Sequence, residues 1–231
     1  MNRDSWRLGT DMNDYRSLVL SLSPVAYWRL GEKSGTVARD EMGLHHGAYV
    51  GSPTLGVPGL LEGDPDTAVA LTAAGQVVTL PDATKPTGPF SYGAWVTEAS
   101  GGAAVALILG ANNTGPGQCW IFSYRAGGYL SFIAGSVQIY GGIIPANGTT
   151  YFAVGTWDGT YSRLYQNAAL VAGPTVCAPH GVLTTPMLIG DRLLGGAGYD
   201  IRGSIDEVAI WSRALTAANV AALYQTGRKY R

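Results

Sequence analysis

Two acids stand side by side in SIDEVAIWSRALTAANVAALYQTG, residues 204–227, where an alternating apolar run passes directly into a helical one. Carboxylates placed like this could act as nucleophile and acid/base in cleaving a glycosidic bond. The retaining form of that chemistry needs two carboxyls about 5 to 5.5 Å apart, a separation that two residues on one face of a strand provide. Read as a strand, the run sets Ile205, Glu207, Ala209 and Trp211 on one face and Asp206, Val208 and Ile210 on the other. The acids then point to opposite sides, and neither partner two residues on, Val208 or Ala209, is acidic. The pair is missing, so the sequence predicts no catalysis by this route. His45 and His46, two of three histidines, accompany no nucleophile elbow and no zinc-ligand spacing, and they read as a solvated loop.

Recognition without chemistry asks for different residues. Sugar binding uses aromatic platforms with a few polar groups, and Trp120, Tyr124, Tyr129 and Tyr140 lie in hairpin-rich sequence that could supply such a surface. The competing use of an aromatic ring is packing. Trp28, Trp95, Trp157 and Trp211 sit inside strand motifs and read as core.

The elements that must position these residues are strands. With 33 Gly, 12 Pro, 13 Tyr, 6 Trp and only 13% charged residues, the 231-residue chain favours short strands joined by tight turns. Period two dominates in TAVALT (67–72), QVVTLP (76–81), FSYGAWVTE (90–98) and AAVALILG (103–110). Ala126-Gly127-Gly128 and Asp158-Gly159-Thr160 separate strand-like runs and predict two hairpins. PMLIGDR (186–192) and GSIDEVAIWS (203–212) complete about ten to thirteen strands, a number suited to a two-layer sandwich. NDYRSLVLSL (13–22) reads as a short capped helix stopped by Pro24, and Thr216 as the N-cap of a closing helix that ends at Gly227. No linker divides the chain, so one domain follows an N-terminal arm.

Charge excludes whole classes of partner. The net charge is −1 with scattered Lys and Arg, which leaves no footprint for nucleic acid or for an anionic membrane surface. The N-terminus MNRDSWRLGTDMNDYR has no uninterrupted apolar stretch, and no apolar run can span a bilayer, so a soluble protein without membrane insertion is expected. Cys119 and Cys177 are expected to be reduced.

The closing stretch resembles the G-x-I-D-E-V-x-I-[YW]-x-R-A-L-[ST]-x-x-E-[IV]-x-x-L-Y ending of laminin G-like domains in the concanavalin A-like lectin and glucanase superfamily. PVAYWRLGEKSGT, Asp40 with GAYVG, GLLEGDPDTAV (59–69), FSYGAWV (90–96), GTWDGTYSRLYQN (155–167) and LIGD (188–191) resemble that family's successive motifs in order, over about residues 14–227. Two departures stand out. Asn219 occupies a position where the family often has Glu, which predicts that a reciprocal capping box cannot form in its usual way. Asn167 is followed by Ala168 where Asn-Gly is common, and Ala is the poorer residue at positive φ.

The resemblance implies an all-β fold: an antiparallel two-sheet jelly-roll β-sandwich, concanavalin A-like, over residues 23–231, with a short N-terminal arm (1–22) and a short C-terminal helix. It implies a structural Ca²⁺ near the chain ends, held by Asp40 and Asp206 with Asp64 and Asp66 as further candidates. The competing reading has Asp206 capping backbone donors and Asp40 making a turn. Domains with the PVAYWRLGE opening look like components of bacteriophage virions. A non-enzymatic virion surface protein is therefore implied, a capsid decoration or tail-associated module that binds host-surface carbohydrate. Its partners would be other virion proteins or further copies of itself, with the arm as docking segment. A secreted, extracellular carbohydrate-binding module is the alternative, and a glycoside hydrolase is the third reading.

Overall fold

The computed structural model describes residues 14–112, 118–191 and 198–228. In chain order its elements are α1 (Tyr15–Ser21), β1 (Ala26–Trp28), β2 (Val37–Ala38), β3 (Gly47–Val50), β4 (Thr54–Pro58), β5 (Thr67–Leu71), β6 (Val77–Leu80), β7 (Phe90–Glu98), β8 (Val105–Asn112), β9 (Gln118–Tyr124), β10 (Tyr129–Gly135), β11 (Val137–Gly141), β12 (Thr150–Trp157), β13 (Tyr161–Gln166), β14 (Ala169–Val176), β15 (Met187–Ile189), β16 (Gly203–Trp211) and α2 (Ala217–Gly227). Every pairing is antiparallel. One sheet runs β14-β13-β12-β7-β16-β5-β4 with β1 added against β16, and the other runs β11-β10-β9-β8-β15-β6-β3-β2. The expected two-layer sandwich is present. The strands that sequence reading passed over are short, as β2 is, or carry interior Gly or Pro, as β4 and β14 do, which weakens the alternating signal.

Inward side chains of both sheets meet in one core, where Trp28, Phe90, Tyr92, Phe132, Tyr151 and Trp157 are almost fully enclosed. Burying each such ring stabilises the fold by roughly 1.5–3 kcal/mol relative to exposure, and this core holds the two sheets together. Cys119 and Cys177 lie in it as free thiols, and burial pushes the Cys119 thiol up to about 12.

A second apolar cluster lies outside the first sheet, where α1 and α2 cover Trp95, Phe152, Val154 and Trp211. Trp95 is its centre: Tyr15 meets it edge-on at 6.2 Å, and Phe152 and Tyr224 stack on it at 5.0 and 5.8 Å. Asp14 caps α1 by accepting the Ser17 N–H, and Tyr15 and Val19 are buried. Over residues 14–22 the expected docking arm is therefore docked on its own sandwich, and residues 1–13 lie outside the described residues. The reciprocal cap on α2 forms with Asn in place of the usual Glu. Thr216 Oγ1 accepts the Asn219 N–H at 3.1 Å while Asn219 Oδ1 accepts the Thr216 N–H at 3.1 Å, so Asn reaches far enough to do what Glu usually does.

Candidate functional site: a tyrosine face and a buried carboxylate network

β16 does not alternate as its sequence suggests. Asp206 pairs with Trp95 and Ala209 with Gly93, so two residues, Glu207 and Val208, oppose Ala94 alone. Glu207 absorbs this bulge at φ +54, in the left-handed region that a non-glycine residue avoids. The extra residue resets the parity: Ile205, Val208 and Ile210 all face the inter-sheet core, while Ala209 and Trp211 join the outer cluster. The two acids consequently do not point to opposite sides, as sequence alternation implies. Asp206, opposite Trp95, and Glu207, bonded to the outer-cluster residue Tyr27, enter one buried network.

Arg29 is the cation of that network. It meets Glu207 at 3.0 Å, Asp64 at 2.9 Å and Asp66 at 3.1 Å, and Tyr27 donates its hydroxyl to Glu207. Gly31 makes room, since a Cβ there would lie 2.0 Å from Asp66 Oδ1. Glu207 and Asp206 are only 1% and 2% exposed. Burial raises the Glu207 carboxyl to about 7 against the opposing pull of Arg29. Burial, then the charge of Glu207, raises Asp206 as well. The same residues that could have been an acid pair are packed beneath tyrosines and a guanidinium.

Calcium does not fit the positions expected for it. Asp40 Oδ1 accepts the N–H groups of Tyr27 and Met42, and its Oδ2 those of Leu44 and His45, at 2.9–3.1 Å. A carboxylate has about four lone-pair sites, and here backbone donors fill them, so Asp40 ties the loop after β2 to β1. Asp206 Oδ2 accepts the Leu60 N–H at 2.8 Å, while its Oδ1 is buried without a partner, which favours the neutral acid over a cation ligand. Asp64 and Asp66 are spent on Arg29. Among the described residues no group of three or more His, Cys, Asp or Glu is placed to hold a metal. His46, on the same loop, is exposed but accepts the Asp40 N–H through Nδ1 at 3.0 Å.

The aromatic residues behave differently. β9 and β10 pair Tyr124 with Tyr129, Phe122 with Ser131 and Trp120 with Ile133, and β11 continues the rows with Tyr140 beside Ser131 and Gln138 beside Ile133. Directly paired residues share a face, so Trp120, Tyr124, Tyr129 and Tyr140 all stand on the outer side of the second sheet. Tyr124 stacks on Tyr129 at 5.1 Å, and the Tyr129 and Tyr140 rings meet tilted at 5.0 Å. Gly127 in the hairpin permits this, because a Cβ there would fall 2.4 Å from both the Tyr124 and Tyr129 rings. Tyr140 is 60% exposed. Trp120 is the exception: it is buried, stacked on Phe122 at 4.3 Å and edged by Tyr199, so it supports the surface from beneath and is not a platform.

Sequence reading missed the polar members of this face. Ser131 donates to the Ile139 carbonyl at 3.0 Å and accepts from Gln138 Nε2 at 2.9 Å. Gln118 Oε1 accepts the Trp120 indole N–H at 3.1 Å. Counting two residues from Trp120 and Tyr124 finds Gln118 and Phe122. Gln138 and Ser131 need the register across the hairpin, which sequence does not state.

A separate cleft of about 410 Å³ opens between the loops at 82–87 and 180–183. Its charged group, Lys85, is paired with Asp82 at 2.7 Å, and Val182 and Leu183 line the other side.

Residues 72–221 match a laminin G family model of the Concanavalin A-like lectin/glucanases superfamily. A search of curated protein sequences returns no match. Among solved structures, Trypanosoma rangeli sialidase in complex with 2,3-difluorosialic acid superimposes with a TM-score of 0.66 at 17% identity, over 87% of this chain and 32% of that one. This chain thus spans about a third of the sialidase. Domain 4 of an extracellular GH43 arabinanase from Geobacillus stearothermophilus, in complex with arabinotriose, superimposes with a TM-score of 0.64 at 20% identity, over 87% of this chain and 98% of that one. These likenesses establish the fold.

Proposed function

The chain belongs to the Concanavalin A-like lectin/glucanases superfamily, and on that premise we propose that it is a non-enzymatic, glycan-binding surface module. The observation that carries this reading is the contiguous row of half-buried Tyr124 and Tyr129 and exposed Tyr140 on a sheet face that no helix among the described residues covers. Rings held by one another lose little freedom on binding and offer apolar surface to sugar C–H groups with hydroxyls at hand. The absence of catalysis is supported by the state of Asp206 and Glu207, which are enclosed and engaged with Leu60, Tyr27 and Arg29 where a hydrolase would need them open to a sugar.

The module is displayed on a bacteriophage virion, as a capsid decoration or a tail-associated protein in contact with host-surface carbohydrate. The resemblance of Pro24–Glu32 to the opening of such proteins supports this placement, which mass spectrometry of purified particles tests. Single sugar sites bind weakly, so assembly into several copies on a particle would supply avidity. A second reading, a carbohydrate-binding module of a larger secreted enzyme, is favoured by the likeness over 98% of the arabinanase domain, whose structure contains arabinotriose.

The test of the core reading is a glycan array that includes arabinotriose, probed with the wild-type chain and with Tyr140→Ala. Binding that falls about tenfold or more in the variant supports the tyrosine face. Equal binding by both proteins refutes it.

A further inference from the structure

The polar groups around the tyrosine row have fixed orientations. Ser131 has a single hydroxyl proton, and it goes to the Ile139 carbonyl. Its contact with Gln138 must then be one in which Ser131 accepts, which places the Gln138 NH₂ against Ser131 and leaves Oε1 facing outward as an acceptor. Gln138 is exposed, and Oε1 has no partner among the described residues. The indole of Trp120 can only donate, so the Gln118 atom against it is Oε1, and the Gln118 NH₂ is left as an outward donor. Neighbours with one available role each thus set two amides in opposite senses, Gln138 at the end of the Trp120–Ile133 row and Gln118 in the row next to it.

None of the described outward residues of β9, β10 and β11 is charged. The outward positions of β9, β10 and β11 are Gln118, Trp120, Phe122 and Tyr124, then Tyr129, Ser131 and Ile133, then Gln138 and Tyr140. The nearest cation in sequence, Arg125, is spent on Glu98 at 2.8 Å, on the Ala99 carbonyl and on Asn147. An anionic ligand would find no unpaired cation among these residues, and desolvating its charge without a partner is costly. The tyrosine centroids, 5.1 and 5.0 Å apart, make a strip of up to about 10 Å, longer than one sugar ring.

We infer that the tyrosine face selects uncharged oligosaccharides, a disaccharide being the smallest ligand that covers it, with Gln138 as a specificity-determining residue whose carbonyl accepts a sugar hydroxyl. This rests on the glycan-binding reading proposed above. Sialylated, sulfated and uronic-acid glycans are disfavoured because each brings a charge that the face cannot match.

The test uses the full chain on an array carrying matched neutral and acidic glycans, lactose against 3′-sialyllactose among them, together with monosaccharide controls. Neutral disaccharides and longer chains should bind above their acidic counterparts and above monosaccharides. Gln138→Ala should weaken those neutral binders about fivefold, the effect of one hydrogen bond, while its melting temperature stays at the wild-type value. Gln138→Met, which keeps the volume and removes the acceptor, should do the same, and guards against a packing effect. Preference for acidic glycans, or undiminished neutral binding in both variants, overturns the inference while leaving glycan binding intact. Binding to no glycan on the array overturns the glycan-binding reading and this inference with it.

Discussion

The outer faces of the two sheets carry similar residues and meet different fates. Outside the first sheet, Trp95 is sealed under α1 and α2, with Tyr15, Phe152 and Tyr224 against its ring. Outside the second, Tyr140 remains 60% exposed at the end of a row of three tyrosines in ring contact. An aromatic ring in this sandwich is therefore structural or available according to which layer lies above it, and its sequence does not distinguish the two. The difference teaches where to look for function: at the tyrosine end of the second sheet's outer face, which no helix among the described residues covers.

The comparison breaks most visibly under truncation. Trp95→Ala should lower stability by about 3–5 kcal/mol, because it empties the centre of the helix-covered cluster, whereas Tyr140→Ala should change stability by no more than about 0.5 kcal/mol. Urea unfolding of both variants checks this contrast, and equal losses would show that the two faces are not different in kind.

Acidity separates the faces next. Glu207 binds its proton with a pKa of about 7 when folded, above the ordinary 4.5 of an unfolded glutamate, so between those values the folded chain holds more protons than the unfolded one. By linkage, the Glu207 contribution is fully present below about pH 4.5 and is lost as pH rises through about 7. Tyr15, Tyr27, Arg29, Asp64, Asp66 and Asp206 surround it, and the raised Asp206 adds to the same trend. Melting curves of wild type and Glu207→Gln from pH 4 to 8 should therefore lie close together at low pH and separate as pH rises through about 7, the wild type falling below the variant, whose slope is shallower. Glycan affinity should stay flat over the same range, since the outward positions of β9, β10 and β11 hold no carboxylate, imidazole or amine.

The smallest effect lies in the hairpin between β13 and β14. Asn167 and Ala168 both adopt positive φ, at +51 and +70. Ala pays a steric cost there that Gly does not, so Ala168→Gly should stabilise the chain by about 0.5–1 kcal/mol after the entropy of the freer unfolded glycine is subtracted. A lower melting temperature in this variant would contradict that account.

Much of this was legible in the sequence. Period-two runs mark β7 and β16 nearly to the residue, and the turn residues at 126–128 and 158–160 fix two hairpins. The four aromatics chosen for a surface do share one face, because hairpin pairing brings Tyr124 opposite Tyr129. Burial was not legible: Trp120 and Tyr140 differ in exposure because Phe122 and Tyr199 pack against one ring and not the other. Strict alternation also failed at Glu207, since a one-residue bulge leaves no mark in an unbroken apolar pattern. The backbone donors that fill Asp40 come from Tyr27 and from three residues of its own loop, a convergence that depends on the folded loop and not on spacing.

The central claim, that the tyrosine row ending in exposed Tyr140 is the binding surface, is tested most directly by NMR footprinting of an array-selected glycan on the isotope-labelled chain. The account predicts ligand-induced shifts concentrated at Tyr124, Tyr129, Gln138 and Tyr140, with Trp95 and its helices unperturbed. Shifts centred instead on the cleft between residues 82–87 and 180–183 would contradict it.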